Sequence, residues 1–301
     1  MAIVLGRNQY GKAECRVVRV YRDGDRHEIR DLNVSTSLRG DFTAAHVGGD
    51  QADVLPTDTQ KNTAFAFAKS KGVGAIEEYA QALAEHFVDR VPKVTGARVE
   101  VEEYAWRRID VDGRGHDHAF VRSGEAVRNT VVNVEGTTAD RRTWVVSGVS
   151  DLVIAKTTGS EFKGFLQDEY TTLAETDDRV LATSLVARWR YADTNVDWDA
   201  THAAVVRDLL AVFAERHSRA LQQSLYDMGE AVLERHPEIA EIRFSAPNKH
   251  HFLVDLAPFG QENPGEVFIA ADRPYGLIEA TVLRDDAPAP GSAWHSTPGF
   301  C

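Results

Sequence analysis

The runs C-R-V-V-R-V-Y (Cys15–Tyr21) and L-N-V-S-T-S-L (Leu32–Leu38), joined across D-G-D (Asp23–Asp25), decide how the chain is organised. Leu32, Val34, Thr36 and Leu38 alternate with polar residues, the period of a strand with one buried face, and turn residues between two such runs make a β-hairpin. A helix pair comes next. Thr57 or Asp58 is expected to cap the first helix, T-Q-K-N-T-A-F-A-F-A-K, because a short side-chain oxygen accepts from the orphan amides of a helix start. The second carries the stripe Ile76, Tyr79, Ala80, Leu83 and Phe87 and is ended by Pro92. Strand patterns then return in A-R-V-E-V-E-E-Y-A-W-R-R-I-D, H-A-F-V-R and V-R-N-T-V-V-N-V.

The second half repeats the order. Strands are expected at Ser147–Lys156 and Val180–Tyr191, then helices on Ala203, Val206, Leu210 and Phe213 and on Leu221, Leu225, Met228 and Val232, the last stopping before Pro237. Strands I-R-F-S, H-F-L-V-D-L, E-V-F-I-A and G-L-I-E-A-T-V-L close the unit. The pattern is ββααββ twice, with a break near Thr138–Arg142, which implies units of 1–138 and 139–301. Hairpin-linked strands around a helix pair give an α+β fold: antiparallel sheets with helices on one face.

A chain of 301 residues is long enough for two cores, and 43% hydrophobic with 27% charged residues is the composition of a soluble globular protein. Its net charge of −12 opposes non-specific nucleic-acid binding. No apolar run reaches membrane-spanning length and M-A-I-V-L-G-R-N lacks the apolar core of a signal peptide, so a cytoplasmic protein with no membrane partner is expected. Cys15 and Cys301 stand at opposite ends without a C-x-x-C, and reduced thiols are the expectation.

Most cofactor signatures are missing. G-V-G-A-I-E (Gly72–Glu77) lacks the third glycine of a dinucleotide loop, and neither a Walker lysine loop nor a G-x-S-x-G elbow is found. H-D-H (His116–His118) offers two imidazoles, but Gly113 and Gly115 mark a turn and further ligands are not evident, so no metal is expected. What remains is polar chemistry at element ends. In S-A-P-N-K-H-H-F-L-V-D-L (Ser245–Leu256), Phe252, Val254 and Leu256 alternate like a half-buried strand, and His250 shares their parity. On residues alone, Asn248 and His250 could simply satisfy strand-end backbone groups. Likewise Arg179 reads as one end of a strand-end salt bridge with Glu175, Asp177 or Asp178.

Taken together, these segments resemble the urate oxidase (uricase) family over nearly the whole chain. Y-G-K-A-E-C-R-V is similar to its first motif and P-T-D-T-Q-K-N-T to its second. T-T-G-S-E-F-K-G-F-L-Q-D-E-Y-T-T-L-A-E-T-D-D-R resembles its long central signature, and S-A-P-N-K-H-H-F-L-V-D-L its fourth. The resemblance implies a tandem of tunnelling-fold (T-fold) units that stack into a tunnel-shaped homotetramer with active sites at chain interfaces. The implied reaction is oxidation of urate by O2 and water to 5-hydroxyisourate and H2O2, with no cofactor and no metal.

Carried over residue by residue, the family's roles place Arg179 on one purine edge, where a guanidinium fork supplies parallel donors. Gln222 reads the other edge, since an amide offers both donor and acceptor. Phe162 stacks on the ring, Leu221 and Asp58 contribute main-chain contacts, and Ile278 walls the pocket. Lys12, Thr57 and His250 match the family's proton relay, and Thr57 and Asn248 its oxygen or water site. A hydroxyl between lysine and substrate can pass a proton, which suits Thr57. Thr57 and Asp58 are implied to come from a neighbouring chain. His251, of opposite parity to His250, is expected to face away. Eukaryotic relatives often end in an S-K-L-type tripeptide, whereas this chain ends in Gly299, Phe300 and Cys301, which points to the cytosol. Two other readings remain: a zinc-dependent T-fold enzyme of the GTP cyclohydrolase type, disfavoured by the isolated cysteines, and a catalytically silent purine binder, disfavoured by the retained relay residues.

Overall fold

The structure is a computed structural model that describes residues 1–124 and 126–295. Cys301, with Gly299 and Phe300, therefore lies outside the described residues. By compactness the chain divides into Met1–Gly148 with Arg190–Asp199 and the segment from Pro288, and a second unit of Val149–Trp189 with Ala200–Ala287.

In the first unit, β1 (Tyr10–Tyr21) and β2 (Glu28–Gly40) form the hairpin expected from alternation, with Tyr10 opposite Leu38 and Tyr21 opposite Glu28. α1 (Thr57–Ser70) and α2 (Ile76–Arg90) follow, then β3 (Val94–Glu103), the hairpin β4 (Trp106–Val111) and β5 (Arg114–Arg122), and β6 (Val127–Glu135). β2, β3 and β6 pair antiparallel in that order. Leu32, Val34 and Leu38 are fully buried, as are Ile76, Leu83 and Phe87 of α2 and Val99 and Val101 of β3. The sheet's opposite face is polar. There Arg39 donates to Asn133 and Glu135, both at 3.1 Å. Gly96 makes room for this, since a Cβ there would stand 2.9 Å from an Arg39 terminal nitrogen.

β7 (Arg142–Lys156) runs into the second unit, which continues with all but the last two residues of β8 (Leu181–Tyr191), all but the first two of α3 (Trp198–Glu215), then α4 (Leu221–Arg235) and β9 (Ile239–Pro247). A small hairpin, β10 (His250–Leu253) and β11 (Phe268–Ala271), precedes β12 (Leu277–Leu283), which returns to pair antiparallel with β9. Strand order here is β7-β8-β9-β12. Leu181, Leu185, Ile242 and Phe244 of the sheet and Leu221, Leu225 and Met228 of α4 form the core. α4 lies close on β12 because Gly229 bears no side chain: a Cβ there would meet Val282 at 2.6 Å.

The ββααββ order thus occurs twice, each copy carrying an extra hairpin before its last strand. Five local expectations need correction. α3 buries Val205, Leu209, Val212 and Phe213, whereas Leu210, placed on its stripe by spacing, is 38% exposed. The cap position of α1 is Pro56, not Thr57 or Asp58, and no side chain caps it; Thr57 is the first helical residue. The run Ala97–Asp110 is two strands, broken at Tyr104–Ala105, where the Tyr104 amide donates to the Asp31 carbonyl at 2.9 Å and the Arg16 and Arg122 guanidinium groups lie 4.4 and 4.2 Å from the centre of its ring. H-D-H lies inside β5 and the turn is at Asp112–Gly113, where φ is 53° and 80°. Finally, H-F-L-V-D-L contributes a strand only as far as Leu253, and Phe252 is 55% exposed rather than half-buried.

Candidate active site

One end of the second unit gathers most of the polar chemistry. Arg179 leads into β8, Asn248 leaves β9, Ile278 opens β12, and α4 begins at Leu221 and Gln222. Register puts the first three at the same end: Thr183 bridges Asn248 antiparallel, and Leu277 and Ile278 oppose Pro247 and Ala246. Leu221 is buried and Gln222 exposed, and the first amides of α4 have no cap from Ala220. His250 opens β10 opposite Ala271, and its ring stacks at 5.7 Å on Phe252. His251 instead bonds the Lys249 carbonyl at 3.1 Å.

The segment bearing Phe162 is stitched to the one bearing Arg179. Phe162 and Thr176 exchange backbone bonds of 2.9 and 3.0 Å, and Arg179 N–H donates to the Ser160 carbonyl at 2.8 Å. The Asp178 carboxylate accepts from the Thr158 hydroxyl at 2.6 Å and the Ser160 amide at 3.3 Å. These bonds, Thr158's first, hold its carboxyl below the ordinary aspartate range.

The strand-end salt bridge expected from residues alone is not formed. Asp178 is occupied as described, Asp177 pairs with Lys163, and Glu175 accepts from the Gly164 amide at 2.9 Å. Arg179 is left without an acidic partner among the described residues, its Nε buried and unbonded. Its guanidinium carbon lies 5.0 Å from the centre of the Phe162 ring. Burial pushes its pKa below the ordinary arginine value. Free donors beside an aromatic face form a receptor for a planar anion or planar acceptor edge. Phe165, which the sequence did not single out, stacks on Phe162 at 4.9 Å and 15°. The motif's second aromatic is what could have flagged it.

Lys12, Thr57 and Asp58 belong to the first unit. Lys12 sits near the start of β1, just before a bulge between Lys12 and Cys15 where Glu14 has φ 56°. A bulge re-aims side chains, and Gly11 is required beside it: a Cβ would fall 1.7 Å from the Thr36 carbonyl oxygen. Thr36 accepts from the Lys12 amide at 3.3 Å and its hydroxyl donates to Gln60 of α1 at 2.7 Å, tying β1 and β2 to the helix that starts at Thr57. Asp58 is exposed, bonded by Lys61 and by Asn62 at 2.9 Å. Lys61 above all, then Asn62 and the Lys12 charge, hold its carboxyl below the usual range. The Lys12 ammonium, the Thr57 hydroxyl and the His250 ring nitrogens make no hydrogen bond or ion pair among the described residues.

The family model described as Uricase matches residues 8–133 and 145–279. The chain belongs to the uricase family. It is 54% identical over 299 residues to the uricase of Arthrobacter globiformis, covering 99% of this chain and 96% of that one. It is 38% identical over 284 residues to the uricase of Danio rerio, covering 92% and 94%. The crystal structure of the Arthrobacter globiformis uricase superimposes with a TM-score of 0.92, covering 98% of this chain and 99% of that one. The fold is therefore that of the uricases, the T-fold, as the motifs implied.

Other features lie apart from these residues. A cavity of about 830 Å³ in the first unit is lined by Arg7, Arg39, Glu135 and Trp294 among others and contains none of them. His116 and His118 meet edge-on at 4.5 Å, and among the described residues no group of His, Cys, Asp and Glu is arranged to hold a metal ion. No helix among the described residues is long and apolar enough to cross a membrane.

Proposed function

We propose that this chain is a urate oxidase that converts urate, O2 and water to 5-hydroxyisourate and H2O2 without a metal or organic cofactor. The balance is a two-electron oxidation: urate loses two electrons, O2 gains them with two protons to become H2O2, and water supplies the new ring hydroxyl. The observation that carries this reading is the Arg179 guanidinium, free of its three acidic neighbours and poised over Phe162. In this reading Arg179 holds one purine edge, Gln222 the other, and Phe162 stacks on the ring. The amide of Leu221 and the main chain of Asp58 complete the polar contacts, with Ile278 as wall.

Lys12, Thr57 and His250 then move protons, for which their unpaired polar ends suit them, and Thr57 and Asn248 border the oxygen or water site. A lysine, a hydroxyl and an imidazole in series can take a proton from urate and later deprotonate the attacking water. The complete site is formed between chains of a homotetramer, Lys12, Thr57 and Asp58 coming from one chain and the remaining groups from another. A cytoplasmic protein fits this activity.

Complementation tests the proposal. Lys12→Ala and Arg179→Ala chains are each expected to be nearly inactive on urate. Co-refolded in equal amounts, they should regain activity at about a quarter of the sites, because random assembly unites two intact halves that often. Activity in neither the single variants nor the mixture, with wild type active, would contradict the shared site.

A further inference from the structure

Thr183 is fully buried, and its hydroxyl oxygen has no hydrogen-bond partner among the described residues. Buried hydroxyls are nearly always bonded, so an unbonded one asks for a partner close at hand. The backbone supplies a candidate. Thr183 stands on β8 directly opposite Asn248 across an antiparallel bridge. Residues opposed in this way send their side chains to the same face, with Cβ atoms about 4.5–5.5 Å apart. That separation lets a threonine hydroxyl meet an asparagine amide at an ordinary bond length of about 2.9 Å. Parity agrees: Leu181 and Leu185 on one side, and Phe244 and Ala246 on the other, are buried on this same face.

Asn248 is fixed everywhere except at its amide. Its N–H donates to the Gly276 carbonyl at 2.8 Å, and the following amide, of Lys249, donates to Ala182 at 2.8 Å. The side-chain amide itself has no partner among the described residues. A free amide can present either its oxygen or its NH2 to a neighbour, and only one of these suits a given acceptor or donor in the site. We propose that Thr183 is a positioning residue: its hydroxyl bonds the Asn248 amide and fixes which face that amide turns toward the oxygen or water site. The inference rests on the reading of Asn248 as a wall of that site. The bond requires only side-chain rotation, since both backbones are already set.

The competing explanation is an idle hydroxyl. Replacing an idle, unbonded, buried hydroxyl by an apolar group of the same shape is neutral or stabilising and leaves catalysis untouched. The experiment compares wild type with Thr183→Val, Thr183→Ser, Asn248→Leu and the Thr183→Val/Asn248→Leu double variant. The readouts are kcat on urate, KM for O2, Kd for a non-oxidisable urate analogue, and Tm. We expect Thr183→Val to lower kcat about tenfold, the loss of one hydrogen bond's worth of orientation, with analogue Kd within about twofold and Tm not lowered. Thr183→Ser keeps the hydroxyl and should restore turnover. In the Asn248→Leu background, Thr183→Val should add no further loss, as expected if the two act through one contact.

Wild-type turnover in Thr183→Val, with Asn248→Leu slow, would overturn the inference alone. Wild-type turnover in Asn248→Leu would remove Asn248 from the mechanism and the inference with it. Should Thr183→Val not fold, Thr183→Cys, of similar volume and weak as a hydrogen-bond donor, is read against Thr183→Ser: equal turnover in the two overturns the proposal, and a slow Cys variant supports it.

Discussion

Arg179→Ala separates binding from stability more cleanly than any other change at this site. Among the described residues the guanidinium has no carboxylate partner, its Nε is buried and unbonded, and burial already works against its charge. Removing it leaves no orphaned acid, because Asp177, Asp178 and Glu175 are bonded to other groups. Stability should therefore change by no more than about 0.5 kcal/mol. Binding should suffer far more. A fork to a planar acceptor edge makes two charge-assisted bonds of about 1.5 kcal/mol each. Losing both weakens a urate analogue by about 3 kcal/mol, or about a hundredfold in Kd. Arg179→Lys keeps the charge and one bond, so about tenfold is expected. Titration calorimetry with the analogue, beside thermal melts, reads both quantities. A lowered Tm with unchanged Kd would instead give Arg179 a strand-end structural role.

Lys12→Ala should lower turnover at least about a hundredfold, at the low end of general-base contributions, while analogue Kd moves by less than about threefold; equal losses in both would make Lys12 a binding residue. Asp178 has a folded pKa below its unfolded value, so its stabilisation is present above about pH 4 and is lost as pH falls through the lower folded value. The Tm gap between wild type and Asp178→Asn should accordingly be open at neutral pH and close in strong acid, and a gap constant with pH would deny the linkage. Cys15 is buried and burial raises its thiol pKa, so peptide mapping should find it unlabelled by thiol reagents until the protein unfolds. Rapid native labelling at Cys15 would place it on an accessible surface.

The regular parts of the fold were legible because each is written locally. Leu32 to Leu38 alternate, the α2 stripe recurs at helical spacing, and Pro92 and Pro237 punctuate. What the pattern concealed was set by non-local contacts. At the Tyr104 break the ring meets Arg16 and Arg122, contacts that only the fold creates. The exposure of Phe252 depends on where a four-residue strand stops, which alternation cannot say. The helix start slipped by one residue because Pro56, extended at ψ 140°, takes the cap position and releases the Thr57 hydroxyl.

The candidate site shows the same division. Its residue types were visible through motif resemblance, but which charges would remain free was not. Local charge alone favours a salt bridge for Arg179, with three acids within four residues. The fold overrides this by giving each acid a better-placed donor, Thr158 and Ser160 for Asp178 among them. Thr183 gave no signal at all: a threonine in an alternating strand looks like any other, and its unbonded hydroxyl appears only when β8 is laid against the end of β9.

Urate oxidase activity is tested most directly by urate consumption in oxygenated buffer by the purified protein with excess chelator, counting hydrogen peroxide against urate lost. Turnover unaffected by chelator, with near one-to-one peroxide, is expected. A folded protein that binds a urate analogue yet consumes no urate would contradict this.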